Sequence, residues 1–248
     1  MPLTLFANRV GRKDGTTIAV KVFRDRVPRR QRTANGGFVY HVLNRAVGRA
    51  RIFVTASDYE AFERVLGETK ERVAVRLLAY CVMPNHWHLV LWPHGDGELS
   101  EFMRLLTVTH VQRWHAAHGT SGTGALYQGR FKAFPVEEDD HLVKVWRYVE
   151  RNALRAGLVK SAQDWRWCSA WRRAHRDSGD TLLEEGPLRF PQDWLDLLNS
   201  AQSETELKMV RDCVRRGSPC GDDRWRSEVA YRLGLTSSLR LVGRPRRK

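Results

Sequence analysis

The sequence predicts an α+β protein, an antiparallel sheet with helices packed on one face, followed by an α-helical C-terminal region. Three observations carry this. Short β-rich segments alternate with segments of helical spacing in the order β-α-β-β-α-β-α as far as about residue 157. Two of those strands follow one another across a Pro84-Asn85 turn, which embeds a hairpin between helices as in a split βαβ unit. Beyond about residue 190 the spacing is helical only.

The elements follow in order. Residues 1–36 end in "RDRVPRRQRTANGG", a basic arm punctuated by Pro and Gly that suits contact with phosphate. "GFVYHVLNR" (37–45) is β-rich and predicts the first strand. "SDYEAFERVLGETKERV" (57–73) opens with Ser57 and Glu60 in capping-box spacing and continues as a helix. "AVRLLAYCVM" (74–83) and "HWHLVLW" (86–92) are the hairpin strands. "GELSEFMRLLTVTHVQRWHAAHG" (97–119) has apolar residues at helical spacing, and "TSGTG" (120–124) is a loop. "LYQGRFKAFPV" (126–136) predicts a strand carrying basic residues. "EEDDHLVKVWRYVERNALRAG" (137–157) predicts a helix with acids in its first turn, arginines later and Gly157 as its C-terminal cap. The polar stretch that follows gives a linker over 176–190. Residues 191–248 then form a helical DNA-binding region whose last two helices, joined by "SPCG", resemble a helix-turn-helix pair and whose end is the basic tail "GRPRRK". The main domain is therefore expected over 37–175.

Composition narrows the partners. Lys+Arg outnumber Asp+Glu by 42 to 28 in 248 residues, a formal net charge of +14, which favours a polyanion and nucleic acid above all. No apolar run approaches the roughly 20 residues that cross a bilayer, so no membrane partner is expected. The N-terminal segment meets charge early and does not read as a secretory signal. Cys81, Cys168, Cys213 and Cys220 form no C-x-x-C pair, which argues against a zinc ribbon and for free thiols in a cytoplasmic protein.

"YCVMPNHWHLVLWP" (80–93) is the most informative stretch. Side chains two apart in a strand share a face, so His86 and His88 project together from a run that is otherwise core. Two neutral imidazoles side by side are half of a metal site, each needing its other ring nitrogen held by a partner. On pattern alone, two hydrogen-bonded core histidines are an equal reading. The helix at 137–157 offers what such a site lacks. Tyr148 and Asn152 are four apart and would share a helix face. Asn152 brings a carbonyl oxygen suited to Mg²⁺ or Mn²⁺, and Tyr148 a phenol that needs activation before it can attack. Arg45, Arg130, Lys132, Arg151 and Arg155 are the candidates for a phosphate path, and Tyr127, Trp146 and Trp167 could stack on unpaired bases or simply pack.

These pieces, in this order, resemble the REP-associated tyrosine transposases of the single-tyrosine HUH transposase superfamily. The resemblance rests on "GFVYHVLNRAVGRARIF" (37–53), "YCVMPNHWHLVLWP" (80–93), "YQGRFKAFPV" (127–136) and "YVERNALRAGLV" (148–159), and more loosely on residues 215–248. It implies a ferredoxin-like, HUH endonuclease-type fold. It implies His86, His88 and Asn152 as metal ligands and Tyr148 as the nucleophile of a metal-dependent single-stranded DNA endonuclease and strand transferase. That enzyme would act on hairpin-containing repeats through a 5′-phosphotyrosine intermediate. It also raises a homodimer, since some members of the superfamily complete one subunit's site with the tyrosine helix of another. Two departures stand out: the family's Asn-Pro is Asn152-Ala153 here, and its Arg-Gly-Arg-Pro is Arg216-Gly217-Ser218-Pro219. Two rival readings remain at this stage. One is a non-catalytic protein that binds DNA hairpins. The other is a zinc hydrolase that adds His41 or Asp96 to the two histidines.

Overall fold

The computed structural model describes residues 34–175 and 180–240; the expected N-terminal arm as far as residue 33, four residues of the expected linker and the "GRPRRK" tail lie outside the described residues. The described residues lie within one compact unit. Four strands make its sheet: β1 (Val39–Arg45), β2 (Val75–Met83), β3 (His86–Pro93) and β4 (Lys132–Val136). Their spatial order is β2-β3-β1-β4, and every neighbouring pair is antiparallel. With helix α1 (Ala56–Arg72) between β1 and β2, and α2 (Glu98–Ala117) between β3 and β4, this is the ferredoxin-like βαββαβ order, in the α+β class the sequence predicts.

Strict alternation along the strands assigns the two faces. Tyr40, Val42, Trp87, Leu89 and Leu91 point to the core that α1 and α2 cover. Val39, Leu43, Val90, Phe134 and Val136 point the other way, onto α3 (Asp140–Glu150) and the later helices. The two long helices thus share one face, as expected, and the second face is covered as well. A bulge between Leu77 and Ala79 in β2 inserts Leu78, which keeps both ends of that strand in phase with β3.

Several boundaries depart from the sequence-based reading, each for a local reason. The α1 start is capped by Asp58, whose carboxylate accepts from the Val54 N–H at 2.9 Å and the Thr55 N–H at 2.8 Å, two residues ahead of the Ser57–Glu60 spacing. The strand expected over 126–136 is regular only from Lys132; before it, Tyr127 makes an isolated bridge to Ala46 and the chain bends through 128–130. The helix expected over 137–157 is interrupted. It runs to Glu150, Arg151 turns at φ −80° and ψ 1°, and a single turn, α4 (Asn152–Arg155), follows before Gly157 at φ 68°.

The C-terminal helices α5 (Ser169–Ala174), α6 (Trp194–Asn199), α7 (Glu204–Arg216) and α8 (Asp223–Arg232) add to the α3 face and its edges. Leu198, Leu207, Val210 and Cys213 join the same core as α3. The turn between α7 and α8 docks on the outer edge of β4: the Cys220 N–H donates to the Pro135 carbonyl at 2.9 Å and Glu137 N–H donates to the Cys220 carbonyl at 2.8 Å. The other edge is covered too, because Val82 N–H donates to the Trp167 carbonyl and Glu184 N–H to the Leu77 carbonyl, both at 2.9 Å. All four cysteines are free and buried, as their spacing suggests.

Candidate active site

The register places three imidazoles on one face. His86 and His88 leave β3 toward α3, and His41 leaves the neighbouring strand β1 on the same side, between Val39 and Leu43. The Cα partner of His41 is Val90 and that of His88 is Leu43, so the two histidines are diagonal neighbours. His41 Nε2 lies 2.8 Å from His88 Nδ1. His86 Nδ1 lies 2.6 Å from the Oδ1 of Asn85, the turn residue just before it. His86 and His88 therefore each have Nδ1 engaged. Neither Nε2 has a hydrogen-bond partner among the described residues, and neither is sealed from solvent space.

Electrostatics keeps these rings neutral. Burial pushes His86 down to about 4, with Arg45 and Arg155 adding to the shift. Burial pushes His41 to about 3, again helped by Arg155. Burial holds His88 well below the usual imidazole range, and the neighbouring His41 and His86 push in the same direction. A neutral imidazole with Nδ1 occupied and Nε2 open presents a lone pair, the form a divalent cation takes up.

Tyr148 comes from the last turn of α3. Its ring centroid is 5.9 Å from that of His88 and 6.1 Å from that of His41, and the residue is 8% exposed. The break at Arg151 has a consequence here. The Tyr148 carbonyl accepts from Arg155 Nη1 at 3.2 Å, and the Arg155 guanidinium lies 4.1 Å over the Tyr148 ring. Asn152 opens α4 directly after the break and is buried, with its Nδ2 unpartnered among the described residues and its Oδ1 making no hydrogen bond there. The uncommitted amide of Asn152 and the two uncommitted imidazole nitrogens of His86 and His88 are donor types that suit a divalent cation. The missing proline after Asn152 does not extend the helix through it, because the interruption sits one residue earlier.

The basic candidates divide. Arg45 is the Cα partner of His86 and borders the histidines. Arg155 is stacked on Tyr148. Arg151 donates to the Leu198 carbonyl, which ties the break to α6. Lys132 is exposed on β4 and reaches the Val214 carbonyl at 3.4 Å, and Arg130 is exposed in the bend before it. The aromatic candidates are packing residues: Tyr127 bonds Trp87 and His110, Trp146 stacks on Phe190 at 4.3 Å, and Trp167 stacks on Tyr59 at 4.7 Å. Of the further zinc ligands considered, His41 is bonded to His88, and Asp96 lies past the far end of β3 from His86, where it accepts from the Gly36 N–H at 2.8 Å. A separate group, Glu137, Asp139 and His141, brings ligand-type atoms together at the β4–α3 junction. There Glu137 also accepts from the Asp222 N–H at 2.8 Å and holds the α7–α8 turn.

Residues 36–152 match the family model described as "Transposase IS200 like". Over those residues the chain is similar to the IS200-like transposases. The family's enzymes cut and rejoin DNA, and the match runs from the residues before β1 to Asn152. The chain is 23% identical over 176 residues to a Haemophilus influenzae protein provisionally named a REP-associated tyrosine transposase, a span covering 67% of this chain and 91% of that one. Among solved structures, a REP-associated tyrosine transposase bound to a REP hairpin matches with 20% identity and a TM-score of 0.49, over 66% of this chain and 93% of that one. A transposase from Deinococcus radiodurans matches with 20% identity and a TM-score of 0.36, over 46% and 88%. The resemblance read from the sequence is borne out at the level of the family. Among the described residues, no helix is long and apolar enough to cross a membrane.

Proposed function

We propose that this protein is an IS200-like transposase, a metal-dependent, single-tyrosine endonuclease and strand transferase acting on single-stranded DNA at the foot of hairpin repeats. The observation that carries the reading is the approach of Tyr148 to His88, whose neighbour on the strand and whose own ring both keep Nε2 open. In this reading His86, His88 and Asn152 hold Mg²⁺ or Mn²⁺. The cation, when bound, supplies positive charge against the scissile phosphate as negative charge builds there.

The chain's own residues do the rest. Arg155 holds the Tyr148 ring from one side through its guanidinium and from behind through the carbonyl, so the phenol is presented rather than free to rotate. The Tyr148 oxygen attacks phosphorus: the Oη–P bond forms, the bond from phosphorus to the 3′-oxygen breaks, the phenol gives up its proton, and the departing oxygen gains one. The products are a 5′-phosphotyrosine and a free 3′-hydroxyl. Because one phosphodiester has been exchanged for another, an incoming 3′-hydroxyl can reverse the step and join strands with no further energy source. Arg45 borders the histidines where a phosphate would sit, and exposed Arg130 and Lys132 continue a basic track along β4. Within the single chain Tyr148 already stands against His88 and His41, so the reading calls on no residue from a second copy.

The test is a covalent-adduct assay with end-labelled hairpin oligonucleotides drawn from DNA flanking the gene, with Mn²⁺ or Mg²⁺, on a denaturing gel. A shifted band that needs metal and disappears in Tyr148→Phe, with hairpin binding retained, is the expected result. Tight hairpin binding by the unaltered protein without any adduct would favour a protein that binds hairpins without cutting them.

A further inference from the structure

We propose that His41 is a positioning residue for metal binding, the acceptor that fixes the ring and the tautomer of His88. The inference rests on the reading of His86 and His88 as ligands and goes beyond it to a residue outside the ligand set.

The argument begins with cost. His41 sits in β1, between β3 and β4, and is fully buried. Val39 and Leu43 flank it on the same face, and an aliphatic side chain would fill the position without burying a polar ring. The imidazole instead spans to the adjacent strand and meets His88 at 2.8 Å, ring centroids 5.0 Å apart and planes inclined by 30°. Phe134 of β4 stands edge-on at 4.9 Å, and Tyr148 closes the remaining side at 6.1 Å. The ring is confined, and its Nδ1 has no partner among the described residues.

Proton placement then decides the role. A hydrogen bond between two neutral imidazoles has one donor and one acceptor, and with nothing else bound it can run either way. Once His88 gives its Nε2 lone pair to a cation, its single ring proton must be on Nδ1. That N–H then points at His41 Nε2, its one hydrogen-bond partner among the described residues. His41 must accept, and its own proton moves to the buried Nδ1. Cation binding therefore selects one of two arrangements of the pair, and His41 is what makes that arrangement available. His86 is served differently, by the side-chain amide oxygen Oδ1 of Asn85, which can only accept and so favours the Nδ1-protonated form at all times.

Two measurements test this on the full-length protein without DNA. Mn²⁺ affinity, read by electron paramagnetic resonance, should fall roughly 10–100-fold in His41→Phe, which keeps a ring and removes the acceptor. His41→Gln, which restores an acceptor, should recover most of it. Thermal melting of the metal-free variants separates lost folding from lost affinity. In the unaltered protein labelled with ¹⁵N-histidine, Zn²⁺ serves as a diamagnetic probe with affinity for imidazole. His88 should then show a protonated Nδ1 at saturation. Equal Mn²⁺ affinity in folded His41→Phe overturns the assignment of His41 and leaves the ligand reading standing, whereas a His88 protonated at Nε2 with Zn²⁺ bound overturns the assignment and removes His88 Nε2 from the ligand set. An unaltered protein that binds neither ion at these histidines overturns both.

Discussion

On the face covered by α1 and α2, His110 shares a hydrogen bond at 2.7 Å between its Nδ1 and the Tyr127 hydroxyl, which in turn accepts from Trp87 Nε1 at 2.9 Å. Its ring stacks on Phe53, and its spare nitrogen is closed off in hydrocarbon. On the face covered by α3, His86 and His88 also engage Nδ1, yet their spare nitrogens stay open beside a tyrosine. Burial and lowered basicity are common to both faces, since His110 and His86 are each pushed down to about 4, chiefly by burial. What separates packing from chemistry is where the second nitrogen leads. A perturbed histidine alone would have pointed equally to His110.

The contrast can be broken in three ways, from the largest effect to the smallest. Phe102→Ala, in the fully buried core beneath α2, should cost about 3–5 kcal/mol of stability and leave adduct formation intact at temperatures where the protein is folded; urea melts beside the gel assay check both. His86→Ala should do the reverse. Adduct formation should drop at least ~100-fold, roughly 3 kcal/mol in the barrier, with little change in the urea midpoint because His86 is only partly buried. A mutant that loses stability instead would move His86 into the structural class with His110.

The smallest effect is on pH. The folded-state basicity of His110 is depressed from 6.5 to about 4, so between those values the unfolded chain binds more protons than the folded one. Stability is unaffected by this group above about pH 6.5, falls as pH drops toward 4, and levels off below. The slope from one such imidazole is at most about 1.4 kcal/mol per pH unit. Melts of His110→Leu between pH 7 and pH 4 should show a shallower loss than the unaltered protein.

The comparison also explains what the sequence could and could not disclose. The pairing of His86 and His88 was legible because strand periodicity is local, and two residues on always means the same face. The long helices were legible within a residue or two because spacing and caps sit side by side in the chain. His41 could be named only as one possible ligand among others, because its role depends on the register between β1 and β3, which joins residues 47 apart in sequence. Asn85 was adjacent to His86 and read as a turn residue, its second task hidden by the first. The interruption at Arg151 had no proline or glycine to announce it. It follows from ties made across the fold, Arg151 to the Leu198 carbonyl and Arg155 to the Tyr148 carbonyl and ring.

The two covered edges of the sheet bear on how the molecule can be divided. The family match ends at Asn152, yet the groups that close the rims come later: Cys220 against β4, and Trp167 with Glu184 against β2. A four-stranded sheet stripped of them would present two rows of unpaired amides and carbonyls, the template on which chains add to one another into aggregates. The segment after the tyrosine helix thus serves solubility as well as any contact with DNA. A sheet that cannot recruit its neighbours is a safeguard that the segment matching the family does not carry by itself.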